Sequence, residues 1–454
     1  MGSEWIECSL EDCMEAIIDY RGKTPKKTTS GIPLVTAKII KSGTINPVAE
    51  YIAEEDYDTW MRRGFPKPGD VVMTTEAPLG EIAQLDDRKV ALAQRVITLR
   101  GKQGVLDNTF LKYLMISDYV QHQLDGRATG TTVKGIKQSE LRKIVLKFPP
   151  YRSQLDIANI LGSMDKKIEL NRQTNSTLES IAQGLFKSWF VDFDPVIDNA
   201  LAAGNPIPPA LEAKAEKRRA LRAQQTQSAS PNADATNPHP PLPEEIKQLF
   251  PSSFVFTEEL GWVPEGWGIG VFGDIAAHVK NNVKADNTGD YNCYVGLEHI
   301  GRKSIFLENH ASGESVESNK SEFQKGDLLF GKLRPYFHKV CIAPQLGICS
   351  TDILIFRPRL ESFHSYMTLV AYSDAFVDYA TMRSTGTRMP RASAKDLLAY
   401  PVVIPSEDIL SKFQELVAPY WLNGIAKIAS SDISAELRDR LLPKLLAGDL
   451  TVEV

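Results

Sequence analysis

Residues 152–195, RSQLDIANILGSMDKKIELNRQTNSTLESIAQGLFKSWFVDFDP, carry an apolar stripe at helical spacing. Ile157, Leu161, Met164 and Ile168 are separated by four, three and four residues, which places them along one side of a helix. The same register passes through Asn171 and Asn175. It turns apolar again at Leu178, Ala182, Leu185 and Trp189, with Phe190 beside it, and meets no proline before Pro195. A helix of about 38 residues would be roughly 57 Å long at 1.5 Å per residue. Two readings fit this length: a coiled-coil arm, or a long amphipathic helix lying on one globular core.

The 454 residues suffice for two or three domains. No run of eighteen apolar residues occurs, so no membrane-spanning helix is expected. The opening MGSEWIECSLEDC is acidic where a signal peptide would be basic and then apolar. It also lacks the hydroxyl residue at position six that myristoylation requires, so the reading is a cytoplasmic protein. Five cysteines (Cys8, Cys13, Cys293, Cys341 and Cys349) without a C-x-x-C, and seven scattered histidines, argue against a disulfide framework and a metal site.

The net charge of −5 does not announce a nucleic-acid binder. Local clusters say more. Arg127, Lys134, Lys137, Arg142, Lys143 and Lys147 stand against only Asp125 and Glu140 in residues 120–150. Lys332, Arg334, His338 and Lys339 form a second cluster, and Arg383, Arg388, Arg391 and Lys395 a third, both without acids. Basic groups interleaved with Thr, Ser and Gly suit phosphate and base-edge contacts, although each cluster alone also reads as a solvated surface.

Taken in order, residues 1–151 read as mixed α/β. IPLVTAKII and RVITL are expected as strands and NTFLKYLMISDYVQHQL (108–124) as helix. After the long helix, residues 198–257 read as a linker: a short helix over 209–225, then the Pro- and Ser-rich QSASPNADATNPHPPLP, expected to be disordered. Residues 258–405 repeat the first pattern. Trp5 answers Trp267, Gly69-Asp70 answers Gly326-Asp327, and Ala93-Gln94-Arg95-Val96 answers Ser350-Thr351-Asp352-Ile353. Thr129-Gly130-Thr131 answers Thr385-Gly386-Thr387, and Pro149 answers Pro405. Landmarks in one order at a nearly constant offset indicate a duplication. A second long helix follows, Ile409 to about Leu446, in which Ile409, Phe413, Leu416, Tyr420 and Asn423 keep the four-three spacing. The two helices most simply pair antiparallel. Asn171, Asn175 and Asn423 lie in the stripes, where a buried Asn sets register.

No catalytic constellation emerges. Phe148-Pro149-Pro150-Tyr151 mimics the loop of amino-group methyltransferases but puts Phe where an acceptor is needed, so it reads as a strand exit. Asp198, Glu212 and Lys214 imitate a nuclease pattern within the linker, where nothing would hold a metal. Lys332-Leu333-Arg334-Pro335-Tyr336 and Ser384-Thr385-Gly386-Thr387-Arg388 are the better candidates. They offer cations, hydroxyls and a glycine turn to DNA.

These features, with LFKSWFVDFDPV (185–196), PLPEEIKQLFPSSF (241–254), LGWVPEGW (260–267), GKLRPY (331–336), STGTRM (384–389) and LLPKLLAGDL (441–450), make the whole chain resemble the specificity subunit of type I restriction–modification enzymes. The resemblance implies an α+β (mixed α/β) fold: two duplicated target recognition domains separated by two long helices forming an antiparallel coiled coil. Its divisions are 1–151 and 258–405 for the domains, 152–197 and 406–454 for the helices, and 198–257 for the linker. It implies a non-catalytic subunit that reads a bipartite double-stranded DNA target. Two methyltransferase subunits, which hold the S-adenosylmethionine, and restriction (motor-nuclease) subunits dock on it. A free-standing DNA-binding or coiled-coil scaffold protein is the alternative.

DNA contacts are expected from Thr129, Thr131, Lys134, Lys137, Lys332, Arg334, Tyr336, Lys339, Thr385, Gly386, Thr387, Arg388 and Arg391. Helix pairing or docking falls to the stripe residues already named together with Leu437 and Leu441. The first domain departs from the pattern: GRATGTTVKGI has no Arg after its Thr, and no RPY follows Asp70.

Overall fold

The β-branched runs of both halves pair into sheets of one design. In the computed structural model, residues 5–20, 24–130, 133–227, 242–386 and 388–450 are described, with backbone only at 224–227. In the first half, β1 (Met14–Asp19), β2 (Val71–Thr75), β3 (Leu79–Gln84) and β4 (Val96–Gly101) form an antiparallel sheet in the order β1-β4-β2-β3. In the second, β5 (Ala276–Val279), β6 (Leu328–Gly331), β7 (Val340–Ile342) and β8 (Ile353–Pro358) repeat it as β5-β8-β6-β7. The outer pairings repeat too. Ile6–Ser9 joins Val145–Phe148, and Gly268–Val271 joins Pro401–Ile404, both antiparallel. Ile32–Val35 lies parallel to Ala91–Leu92, as Tyr294–Val295 does to Gly347–Cys349.

One ion pair is duplicated with the sheets. Arg100 forks onto Asp70 through Nε and Nη2, each at 2.7 Å, and Arg357 does the same to Asp327 at the same two distances. Both aspartates are buried, and each also accepts a backbone N–H three residues upstream, from Lys67 and Gln324. A bidentate fork joined by a backbone N–H is a form in which a buried carboxylate is tolerated.

The two long helices are α1 (Tyr151–Phe186), which passes into a π-helical turn at Lys187–Val191, and α2 (Glu407–Ala447). The chain divides into two compact units, Met1–Glu169 with Ser431–Val454, and Leu170–Ser430. Each unit therefore receives one part of each helix.

In the first unit, Ile157 and Leu161 are buried in a core with Phe110, Leu111 and Leu445, and Leu441 packs against it. Asp165 gathers the polar contacts between the helices and the domain. It pairs with Lys112, accepts from Tyr113 Oη at 2.6 Å and meets Arg438 Nη1 at 2.7 Å. Burial pushes its carboxyl up, but Lys112, Tyr113 and Arg438 outweigh this and hold it below the ordinary 3.8.

In the second unit, Asn171 Nδ2 donates to the Lys427 carbonyl at 3.2 Å and Asn175 Nδ2 to the Gly424 carbonyl at 3.1 Å. Advancing along α1 means receding along α2, so the helices run antiparallel. Trp189, Phe190, Phe413, Val417 and Trp421 are buried there in one aromatic core. Leu178 and Leu185 are half-buried, as are Met164 and Ile168 in the first unit.

Three expectations change. The buried face of α2 runs through Phe413, Val417, Trp421 and Gly424, with Leu416 half-buried, while Asn423 faces outward. Trp421, anchored by its indole N–H on Ser365 Oγ at 3.0 Å, sets that face. A strict four-three spacing drifts off the buried side of a straight helix of 3.6 residues per turn. Leu437, 47% exposed, also faces outward.

Second, the start of the linker is folded beyond the short helix expected over 209–225. Asp194–Ala203 and Glu212–Gln227 are helices held by a fork from Arg218 to Asp198 and by Lys214 on Asp192 at 3.2 Å. Glu212 is taken by Arg219 at 2.6 Å, so Asp198, Glu212 and Lys214 are spent on ion pairs. The Pro- and Ser-rich segment lies almost wholly outside the described residues.

Third, Cys8 and Cys13 form a disulfide between a strand and the short helix beside it. Cys293, Cys341 and Cys349 are buried free thiols.

Two predictions follow from the helix contacts. Asp165→Asn would strand the buried Lys112 ammonium and cost roughly 3 kcal/mol. Because the folded-state carboxyl titrates below its unfolded value, this contribution is complete above about pH 4 and lost as pH falls through the folded value. Urea midpoints of both proteins from pH 3 to pH 7 read this, and equal midpoints at pH 7 would contradict it. At Gly424, an added Cβ would lie 2.2 Å from the buried Phe306 ring. Overpacking of about 1–3 kcal/mol should exceed the gain of up to about 1 kcal/mol from better helix propensity, so Gly424→Ala should lower the thermal midpoint. A raised midpoint would refute this.

Candidate nucleic-acid interface

Backbone hydrogen bonds bring the two candidate motifs of the second unit to one corner. Lys332 N–H donates to the Asp352 carbonyl at 2.9 Å, and the Lys332 carbonyl accepts from Ala392 at 3.0 Å. Arg334 N–H reaches the Pro390 carbonyl at 2.8 Å, and Thr385 and Arg391 exchange both of their amide bonds. The GKLRPY stretch leaves β6, makes a short 3-10 turn at Pro335–Phe337 and is flanked by Arg334 and His338, both at φ +51°. Positive φ is strained for such side chains, and their partners hold them in it.

Arg334 Nη2 donates to the Arg388 carbonyl at 3.2 Å, which ties the two loops. The ring of His338 contacts the Tyr372 carbonyl through Nε2 at 2.8 Å, and burial pushes its imidazole down. The Tyr372 hydroxyl in turn donates to Glu179 of α1. Burial raises the Glu179 carboxyl despite that bond. The loop is thus braced on the long helix by two buried polar contacts.

Exposed at this corner are Tyr336, Thr385, Gly386, Arg388 and Arg391, with Lys332 partly buried. Among the described residues no ion-pair partner is found for Lys332 or Arg388. Arg391 is held by Asp352, Nε to Oδ1 at 2.9 Å and Nη2 to Oδ2 at 3.3 Å, and this carboxylate raises the guanidinium's already high pKa. Lys339 is the exception. Its ammonium donates to the Leu297 carbonyl and burial pushes its pKa down, so it serves the interior rather than the surface. Gly386 has φ +102° and Gly130, its counterpart, φ +107°. A Cβ on Gly130 would sit 2.2 Å from the Val133 carbonyl oxygen, so both turns need glycine. Thr131 and Thr387 lie outside the described residues.

The first unit repeats the corner. Thr75 N–H donates to the Arg95 carbonyl at 3.0 Å, the Thr75 carbonyl accepts from Ile136 at 3.0 Å, and Thr129 and Gly135 exchange amide bonds. This corner surrounds a cavity of about 320 Å³ lined by Thr75, Glu76, Gln94, Arg95, Thr129 and Lys137. Lys137 is exposed, and Lys134 is exposed beside Asp125 at 3.1 Å. Sequence reasoning missed Glu76, Gln94 and Arg95. The repeat held the signal, since it aligns Arg95 with Asp352.

Residues 2–180 match a family described as the type I restriction modification DNA specificity domain. The MjaIX specificity subunit of Methanocaldococcus jannaschii is 25% identical over 86% of this chain and 79% of its own length. The HindI specificity subunit of Haemophilus influenzae is 24% identical over 79% and 81%. The chain is similar to type I restriction–modification specificity subunits over most of its length. The crystal structure of an S subunit from M. genitalium shares the fold, with a TM-score of 0.54, 13% identity and coverage of 100% of this chain and 97% of that one. Among the described residues of this chain, no helix is long and apolar enough to cross a membrane.

Lys339 and Arg388 should separate in their effects. Lys339→Met removes an interior hydrogen bond and should lower the thermal midpoint by the equivalent of about 1 kcal/mol, whereas Arg388→Ala should leave it unchanged. A fall for Arg388→Ala and none for Lys339→Met would reverse the assignment.

Proposed function

We propose that this chain is the non-catalytic subunit that selects DNA for a type I methyltransferase and restriction complex, each unit reading one half of a bipartite site. The observation that carries this reading is the duplicated corner. Twice in one chain a glycine turn and a strand-end loop are hydrogen-bonded together, with cations exposed beside them. Hydroxyls and backbone amides of such loops position phosphates, while Arg and Lys read guanine edges in the major groove. Two units that are alike in plan but unlike in side chains suit two different half-sites on one duplex. The specificity subunits among the relatives favour this over a free-standing scaffold.

In this reading the two long helices fix the distance between half-sites and dock two methyltransferase subunits. Those subunits hold S-adenosylmethionine and methylate adenine, and restriction subunits complete the assembly. DNA contacts fall to Thr129, Lys134, Lys137, Lys332, Arg334, Tyr336, Thr385, Gly386, Arg388 and Arg391. The modest net charge of −5 fits a chain whose partners supply part of the phosphate clamp.

The test is methyl transfer from labelled S-adenosylmethionine. The chain alone should transfer none, and with its methyltransferase it should direct methylation to adenines in a split sequence. Transfer by the chain alone would contradict the proposal. Adding one turn to both helices, near Asn175 and Gly424, lengthens them by about 6 Å. The tolerated gap should then shift by on the order of one or two base pairs. An unchanged gap would remove the spacing role.

A further inference from the structure

The equivalent corners each carry an arginine–carboxylate pair, but with the arginine on different loops. Arg95 and Asp352 are equivalent because the carbonyl of each accepts an N–H from the end of the neighbouring strand, that of Thr75, the last residue of β2, and that of Lys332, the residue after β6. Gly135 and Arg391 are equivalent because each exchanges amide bonds with the threonine of its TG turn. The second unit thus has arginine on the glycine-turn loop and the acid before β8. In the first unit the glycine-turn loop has Gly135, and arginine stands before β4. Its acid is supplied by Glu76, with Arg95 Nε 2.7 Å from Oε1.

We infer that Arg95, held by Glu76, is a specificity-determining residue that reads a guanine edge in the half-site of the first unit. The inference rests on the DNA-reading function proposed above. An exposed ion pair adds little to stability, and the Arg95 and Glu76 side chains are 49% and 44% exposed. Its consequence is orientation. With Nε engaged, the terminal nitrogens of Arg95 have no hydrogen-bond partner among the described residues, and they lie at the cavity lined also by Gly135. A guanidinium presenting two parallel donors matches O6 and N7 of guanine. In the second unit Arg391 is anchored on Asp352 through both Nε and Nη2, with Nη1 3.5 Å from the Met389 carbonyl, so it approaches a base from the opposite loop with a different part of its guanidinium. Moving the arginine from one loop to the other moves the base pair it reaches. Two domains of one plan thereby acquire different half-sites.

The experiment maps methylated adenines produced by the full chain with its methyltransferase, for wild type, Arg95→Ala and Arg95→Lys. Lysine keeps the charge for a phosphate but loses the fork. In both variants, discrimination at one base pair of one half-site should fall roughly 10- to 100-fold, with the other half-site unchanged. Arg391→Ala should relax only the other half-site. Thermal unfolding of each variant confirms that the fold is retained. Full preservation of the motif in Arg95→Lys would make Arg95 a phosphate contact and overturn the inference, as would relaxation of both half-sites. Either result leaves the DNA-reading function standing. A wild-type complex that methylates no split sequence would defeat that function and this inference with it.

Discussion

A helix of some forty residues cannot leave a continuous apolar stripe in water, and this chain has two such helices. The stripes are covered in two ways at once. Ile157 and Leu161 enter a domain core together with Leu445 of the other helix, and Trp189 and Phe190 do so with Phe413, Val417 and Trp421. Each helix is therefore partner to the other and a wall of the domains. The earlier alternatives, a paired arm or a helix lying on a core, both hold, each over part of the length.

Polar groups fix what the apolar stripe leaves free. Greasy contacts alone would tolerate a slip of the helices by one turn. Asn171 and Asn175 reach backbone carbonyls of α2, and Asp165 collects Lys112, Tyr113 and Arg438. The buried Oδ1 of Asn175 has no partner among the described residues, a cost consistent with a residue kept for register rather than stability. Polar contacts also brace the exposed corner of the second unit, where Glu179, Tyr372 and His338 connect α1 to the strained RPYF turn.

The duplication, both helices and the glycine turns were legible in the sequence because periodicity and turn chemistry are local signals. What escaped it was local chemistry overridden by tertiary packing. Asn423 sits at heptad spacing, yet Trp421 claims the buried face through Ser365. Residues 198–203 look like linker, yet they end a helix held by a fork from Arg218 of the expected helix onto Asp198. Lys339 reads as a surface cation, but its stem and amine turn inward to Leu297. Glu76 and Arg95 are far apart in sequence terms, and only the pairing of β2 with β4 brings them together.

On the proposed function, one chain holds two separate readers of DNA. Chemical interference mapping on a bound duplex tests it directly, by finding which guanines and phosphates abolish binding of the assembled complex when modified. The account expects two patches of sensitive guanines separated by a stretch where only phosphates matter. Arg95→Ala should weaken the signal within the first patch only, and Arg388→Ala within the second only. A single unbroken patch of sensitive bases, or one that responds to both changes alike, would contradict it.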